Sequence, residues 1–362
     1  MMSDVAYLVL ENGMVFEGYY FGAQGDITGE VVFTTGMVGY VETLTDQSYH
    51  GQIVLQTFPL IGNYGTTSAD FESDSIGPLA YIVKYPCSTP SNFRSEGEID
   101  DFLRTRGIIG IYGIDTRAVT RIIRTNGVMN GKIMATKPTE ADFQAIKEHK
   151  TKNHVLNVSS REIKHYKSDN SKYTVALYDF GAKHNIWREL NNRGCDVVMF
   201  PCTATADEIL AISPDGIMLS NGPGDPQDNA NVIENIKVLL KSGVPIFGIC
   251  LGHQLLALAN GFTTTKLKYG HRGANQPVKD IQSGKVYITS QNHGYTVQPE
   301  SIDSDIADLW FTNVNDKTCE GIIYKNAPAF TAQFHPEAHE GPQDTRFLFD
   351  KFISLMEAKK YE

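Results

Sequence analysis

The sequence is short of cysteine, of long apolar runs and of positive charge, and each shortage removes a class of function. Its 362 residues hold five cysteines, odd in number and irregularly spaced at Cys87, Cys195, Cys202, Cys250 and Cys319. That pattern supplies neither a disulfide framework nor a C-x-x-C zinc site, and it fits a reducing cytoplasm. No run of about 18 apolar residues is present for a membrane span. The opening "MMSDVAYLVLENGM" lacks the basic segment and apolar run of a secretory signal. Lys and Arg number 32 against 42 Asp and Glu, a formal net charge of −10. That balance argues against a general binder of nucleic acid or anionic membrane. What is there is an ordinary globular composition, 41% hydrophobic and 20% charged, in a chain too long for one core of typical size. Two domains are expected.

The two halves are written differently. "AYLVL", an "ENG" turn and "MVFEGYYF" read as a hairpin, and "EVVFTT" and "QIVLQTF" as further strands. Helical patterning follows in "EIDDFLRTRG" and "DTRAVTRIIRTNG", with Asp115 as N-cap and Gly127 beyond the C-terminus. In the second helix Ala118, Val119, Ile122 and Ile123 would face a core. Arg117, Arg121 and Arg124 would share another face, solvated or set against a partner. Residues 1–152 therefore read as a mixed α/β domain and the polar stretch 153–172 as a linker. Residues 173–362 alternate. "YTVALYDFG", "DVVMFP", "GIMLSNGPG" and "VPIFGIC" read as strands, each followed by a helix, with Thr205 and Glu208 in capping-box spacing. The fold class expected is α/β, a doubly wound, mostly parallel sheet with helices on both faces. Ligands of such sheets sit outside the carboxyl ends of the strands. Cys250 falls at one of those ends.

A cysteine is more often core filler than nucleophile, so its surroundings decide. "GICLG" (248–252) has the G-x-nucleophile-x-G spacing of a strand-to-helix elbow, with cysteine in place of serine. Gly248 and Gly252 let the backbone pass closely, and N–H groups from Leu251 onward point at the sulfur. In "AQFHPEA" (332–338), His335 and Glu337 share one side of an extended segment and form a base with its orienting carboxylate. The rival, a metal site from His335 and His339, is disfavoured by Pro336 and has no third ligand. In "SNGPGDP" (220–226), Gln227 stands where a dinucleotide fingerprint would need its last glycine. Gly222 and Gly224 instead offer bare backbone for an oxyanion or a substrate's polar end.

"GICLGHQ", "SNGPGDP" and "FHPE", in this order, resemble the class I glutamine amidotransferase domain with its Cys-His-Glu triad. "FTTGMVGYVETLTDQSYHGQIVLQTFPLIGNYG" and "GIYGIDTRAVTRIIRTNGVMNGKI" resemble the small subunit of carbamoyl phosphate synthetase, so the likeness covers nearly the whole chain. The resemblance implies Cys250 as nucleophile, His335 as acid/base and Glu337 as its orienter. It implies glutamine contacts from Ser48, Gly222, Gly224, Leu251, Gln254, Asn292, Gly294 and Tyr295. Tyr295 stands where the family often has phenylalanine. Lys183 in "YDFGAKHN" matches a family lysine, structural or near substrate.

The activity so implied is hydrolysis of L-glutamine through a γ-glutamyl thioester. The ammonia would pass through an internal tunnel to a large ATP-dependent subunit that makes carbamoyl phosphate for arginine and pyrimidine synthesis. The chain has no G-x-x-x-x-G-K-S/T motif, so ATP, magnesium and bicarbonate would belong to that partner in a heterodimer or larger hetero-oligomer. No cofactor or metal is expected in this chain, and the complex is expected in the cytoplasm. A free-standing glutamine amidase would need the same triad but has no evident use for the first domain. A non-catalytic glutamine-binding protein would have no need of an intact triad.

Overall fold

The computed structural model describes residues 4–360; residues 1–3, at the start of the N-terminal reading above, and residues 361–362 lie outside them. The chain divides into two compact units, Met1–Lys152 and Asn153–Glu362.

In the first unit the hairpin β1 (Val5–Leu10) and β2 (Val15–Gly22) turns at Asn12-Gly13, with Gly13 at φ 90°. An Asn-Gly pair supplies that left-handed conformation at little cost. The following strands are β3 (Ile27–Thr34), β4 (Gln52–Gln56), β5 (Leu60–Ile61), β6 (Ala80–Val83), β7 (Tyr85–Pro86), β8 (Ile109–Tyr112) and β9 (Met129–Met134). Seven of them close into a barrel in the order β1-β2-β8-β6-β4-β3-β9, while β5 and β7 pair separately. Closure leaves the barrel no free sheet edge. The helix Thr116–Asn126 is capped by Asp115, whose Oδ1 accepts from Ala118 N–H at 2.9 Å, a cap worth about 1 kcal/mol. It buries Val119 and Ile123 and leaves Arg117, Arg121 and Arg124 exposed.

The second unit holds β10 (Lys164–Tyr166), β11 (Tyr173–Asp179), β12 (Cys195–Pro201), β13 (Gly216–Leu219), β14 (Ile246–Ile249), β15 (Thr264–Asp280), β16 (Val286–Val297), β17 (Ala307–Asn313), β18 (Cys319–Tyr324) and β19 (Ala329–Ala332). They form one sheet in the order β10-β12-β11-β13-β14-β19-β18-β17-β15-β16. The five strands from β12 to β19 run parallel, and antiparallel strands extend the sheet on both sides. The crossover helices fall on both faces, as the strand–helix alternation requires. The near-continuous apolar runs of β11, β13 and β14 are buried on both faces. Among the described residues no helix is long and apolar enough to cross a membrane.

The stretch 153–172 differs from the linker expected there. It carries a short helix, His154–Val158, and the edge strand β10, paired antiparallel to β12. Its polarity is that of a sheet edge, where one side faces water. Tyr166 anchors it by stacking on Trp187, with ring centroids 4.4 Å apart.

Packing joins the two strands that matter most. β14 and β19 are hydrogen-bonded neighbours, with Ile249 opposite Ala332. Phe247 of β14 stacks on Phe330 of β19 at 4.5 Å and meets Phe349 edge-on at 5.6 Å. Such aromatic pairs add about 0.5–1.5 kcal/mol each beyond their burial. The chain leaves both strands at the same sheet edge, one toward Cys250 and the other toward His335.

Candidate active site

Cys250 is the first residue beyond β14 and caps the helix Leu251–Ala259, with φ 52° and ψ −102°. That is a strained conformation for a residue with a Cβ, costing about 1–3 kcal/mol, and it persists only where surroundings impose it. Here they do. Cys250 N–H donates to Ala332 O at 2.8 Å, and Gly252 N–H to Ser220 O at 3.0 Å. A Cβ on Gly252 would lie 2.4 Å from Leu219 O, and one on Gly248 would lie 2.9 Å from Gly252 C and O. Only glycines let strand, elbow and helix approach so closely. The Cys250 side chain is buried, with Sγ 3.7 Å from Asn292 O. The first N–H groups of a helix have no acceptor within it, so Leu251 N–H is available to an anion formed at this point.

His335 follows β19, its backbone N–H donating to Ser290 O at 2.9 Å. Its Nδ1 lies 2.7 Å from Glu337 Oε1, both side chains being buried. The carboxylate can only accept, so it holds a proton on Nδ1 and turns Nε2 outward. Nε2 has no hydrogen-bond partner of its own, and it is toward Cys250 that the ring is poised. Burial and the charge of Lys183 lower the ring's pKa. The charge of Glu337, together with contacts to Cys250 and Glu337, outweighs them, so the imidazolium is favoured over its usual range. Burial raises the Glu337 carboxyl, but the charge of His335 and that of Lys183 hold it low. The result is a buried, oriented base next to a thiol at a helix N-terminus. That can activate the thiol and later protonate a leaving amine.

His253, in the elbow helix, contrasts with it. Fully buried without a carboxylate, its pKa is pushed down to about 3, and its Nδ1 lies 2.7 Å from Thr331 Oγ1. It is a neutral structural residue.

The other expected residues gather around the elbow, with one in the other unit. A Cβ on Gly222 would meet Phe180 O at 2.3 Å and Leu251 Cδ2 at 2.8 Å, so this turn lies against the start of the elbow helix. Gly224, two residues on, has φ 89°. Gln254 commits both amide hydrogens, to Tyr295 O at 2.8 Å and Gln333 Oε1 at 2.9 Å. What it can still offer a ligand is its amide oxygen. Asn292, Gly294 and Tyr295 lie along β16, where the Asn292 carbonyl faces the Cys250 sulfur. Lys183 is buried, and its backbone N–H donates to Asn221 Oδ1 at 3.0 Å. Ser48 belongs to the first unit, buried in the turn Gln47–Tyr49, with its N–H donating to Asp46 Oδ1 at 2.9 Å. His339 does not join His335: its half-exposed ring lies 3.5 Å from Glu189 Oε1.

Two supporting residues were not anticipated. Asn221 ties the "SNGPG" turn to Gly181 O at 3.1 Å, and Gln333 holds Gln254. Both are fully buried polar side chains within motifs already singled out, and their signal is a polar residue at the end of a buried strand.

Residues 176–355 match the family described as glutamine amidotransferase class-I, and residues 8–133 match the carbamoyl-phosphate synthase small chain, CPSase domain. The "Carbamoyl phosphate synthase small chain" of Bacillus thuringiensis subsp. konkukian is 51% identical over 356 residues, covering 98% of this chain and 97% of its own. The "Carbamoyl phosphate synthase pyrimidine-specific small chain" of Bacillus subtilis is 50% identical, again covering 98% and 97%. The small chain of Fusobacterium nucleatum is 50% identical, covering 96% of each.

Proposed function

The chain belongs to the carbamoyl phosphate synthase small-chain family, and we propose that it hydrolyses glutamine through a cysteinyl thioester and passes the ammonia to a large ATP-dependent subunit. The observation that carries this reading is the buried His335 ring, held by Glu337 at 2.7 Å and poised toward Cys250 at the glycine elbow. A core cysteine needs neither the base nor the elbow.

The Cys250 sulfur gives its proton to His335 Nε2 and attacks the side-chain amide carbon of glutamine. The carbonyl electrons move onto oxygen, where the Leu251 and Gly224 N–H groups stabilise the anion. Collapse of this intermediate breaks the C–N bond, and the His335 imidazolium supplies the proton that completes ammonia. A γ-glutamyl thioester remains. Water, deprotonated by His335, attacks it; the C–S bond breaks, glutamate leaves and Cys250 is regenerated. Glu337 stays ionised throughout and stabilises the imidazolium. Gly222, Gln254, Asn292, Gly294 and Tyr295 are assigned to holding glutamine, and Ser48 is so assigned from the family resemblance alone.

The large subunit binds ATP, magnesium and bicarbonate, and the complex supplies carbamoyl phosphate to arginine and pyrimidine synthesis in the cytoplasm. The test is Cys250→Ser assembled with that subunit. Glutamine-dependent synthesis is lost while synthesis from added ammonium salt survives. Loss of both would contradict the reading, since it would give Cys250 a part in folding or assembly instead.

A further inference from the structure

A second cluster of chemistry-bearing side chains lies in the same unit, made of residues to which the mechanism gives no part. His271 of β15 and His293 of β16 are direct cross-strand partners, so their side chains share one face of the sheet. Their rings meet edge-to-face, with centroids 5.0 Å apart. Glu320 of β18 reaches the same point and is fully buried. One ligand atom from each of the three lies within 4.8 Å of the others.

The hydrogen bonds around them fix where the protons are. His271 Nε2 lies 2.8 Å from Asp316 Oδ2. A carboxylate accepts, so Nε2 carries a proton and Nδ1 is the nitrogen turned inward. Nδ1 is buried without a hydrogen-bond partner, 3.5 Å from Glu320 Oε1. His293 Nδ1 lies 2.8 Å from the Tyr295 carbonyl, also only an acceptor, so the His293 Nε2 lone pair is turned inward as well. Gln291 Oε1 faces that lone pair at 3.1 Å, because the Gln291 amide nitrogen is committed to Glu320 Oε2 at 2.9 Å and Thr289 Oγ1 at 3.1 Å. Reversing the amide would only move the mismatch, setting its oxygen against the Glu320 carboxylate. With Glu320 ionised, two acceptors face each other either way, and a bound cation would relieve the mismatch.

We propose that His271, His293 and Glu320 form a binding site for a zinc-like divalent transition metal ion. Two imidazoles, each donating its other N–H to a carboxylate or carbonyl, are the usual outer arrangement of a histidine metal site. Two nitrogens and one carboxylate oxygen suit zinc or cobalt rather than magnesium or calcium. In a tetrahedral zinc site neighbouring ligand atoms lie about 3.4 Å apart. The 3.5 Å between His271 and Glu320 already matches, and the other gaps need to close by at most about 1.4 Å. The two positive charges balance Glu320 and Asp316. The ion would bind β15, β16 and β18 together beneath Asn292–Tyr295, steadying that strand without entering the chemistry.

The test uses the full chain without an affinity tag, stripped of metal, and Co2+ as probe. The expected result is stoichiometric Co2+ retained after desalting. It carries visible ligand-field bands but no near-ultraviolet thiolate charge-transfer band, and the thermal midpoint rises. Glu320→Gln and His271→Gln abolish retention while keeping the native circular dichroism spectrum. Should either variant fail to fold, Asp316→Asn is the second probe and weakens binding by about 10–100-fold. No retained metal in the parent chain would overturn the proposal and leave a proton filling the cluster. So would retention unchanged in the variants, or a thiolate band marking cysteine as the ligand. None of these readouts involves glutamine hydrolysis, so the outcome is independent of the proposed function.

Discussion

Replacing Gly252 by alanine tests whether the elbow's close packing sets the nucleophile in place. The added Cβ would lie 2.4 Å from Leu219 O, 2.7 Å from Leu219 Cβ and 2.8 Å from Leu219 C. Carbon atoms pack at about 3.5–4.0 Å, so the elbow helix must retreat from β13 by about 1 Å. β13 cannot give way, because it is hydrogen-bonded between β11 and β14 in the middle of the sheet. Overpacking of this kind costs about 1–3 kcal/mol. For a unit of this size each kcal/mol lowers the thermal midpoint by about 2–4 °C. Cys250 rides on the same turn, and a misplacement of about 1 Å at a reacting group costs about 10²-fold in rate. Release of glutamate from glutamine should therefore fall about 100-fold, while ammonia-dependent synthesis by the assembled complex is unchanged. A variant with normal glutaminase turnover and an unshifted midpoint would refute the reasoning. A lowered midpoint with normal turnover would show that the contact serves stability but does not position the thiol.

Glu337→Gln removes the charge that holds the His335 pKa up while the opposing charge of Lys183 remains, so the imidazolium is lost at lower pH. The alkaline limb of the kcat–pH profile should move down and turnover should fall by about 10²-fold or more; an unmoved limb would contradict the assignment. The same pair sets a pH dependence of stability. The pKa of His335 is raised on folding, so its contribution is complete below the unfolded value of about 6.5 and fades as pH rises through the folded one. Chemical denaturation across that range should show stability declining toward alkaline pH in the parent chain and less so in Glu337→Gln. Gln254→Leu leaves Gln333 Oε1 without this donor and removes one of the donors to Tyr295 O, at about 1–3 kcal/mol, and should raise KM for glutamine more than it lowers kcat. Tyr295→Phe should leave KM unchanged, because its contact with Gln254 runs through the backbone carbonyl; a raised KM would give the hydroxyl a part.

Much of this was legible in the sequence because it depends on local chemistry. The Asn12-Gly13 turn, the Asp115 cap and the Thr205–Glu208 capping box are short-range bargains between neighbours, and each is present. The strand–helix alternation placed Cys250 at the carboxyl edge of a parallel sheet because crossovers allow little else. The unread parts depend on residues far apart in the chain. Nothing local states that β1 and β9 pair to close a barrel, or that polar "KHY" lies along β12 as an edge strand. The same holds for His271, His293 and Glu320. Each stands on a different strand with no motif spacing, and only the register of β15 against β16 brings the histidines face to face. The burial of Lys183 beside the His335–Glu337 pair is likewise a tertiary fact, and its charge tunes both partners.

The central claim is that Cys250 is the nucleophile of a glutamine site, and the most direct measurement is covalent. The purified chain is incubated with a glutamine analogue bearing an electrophilic ketone, and the adduct is mapped by mass spectrometry. The account predicts labelling at Cys250 alone among the five cysteines, suppressed by excess glutamine and abolished by His335→Asn. Labelling spread over Cys87 and Cys202, or no labelling even with the large subunit present, would contradict it.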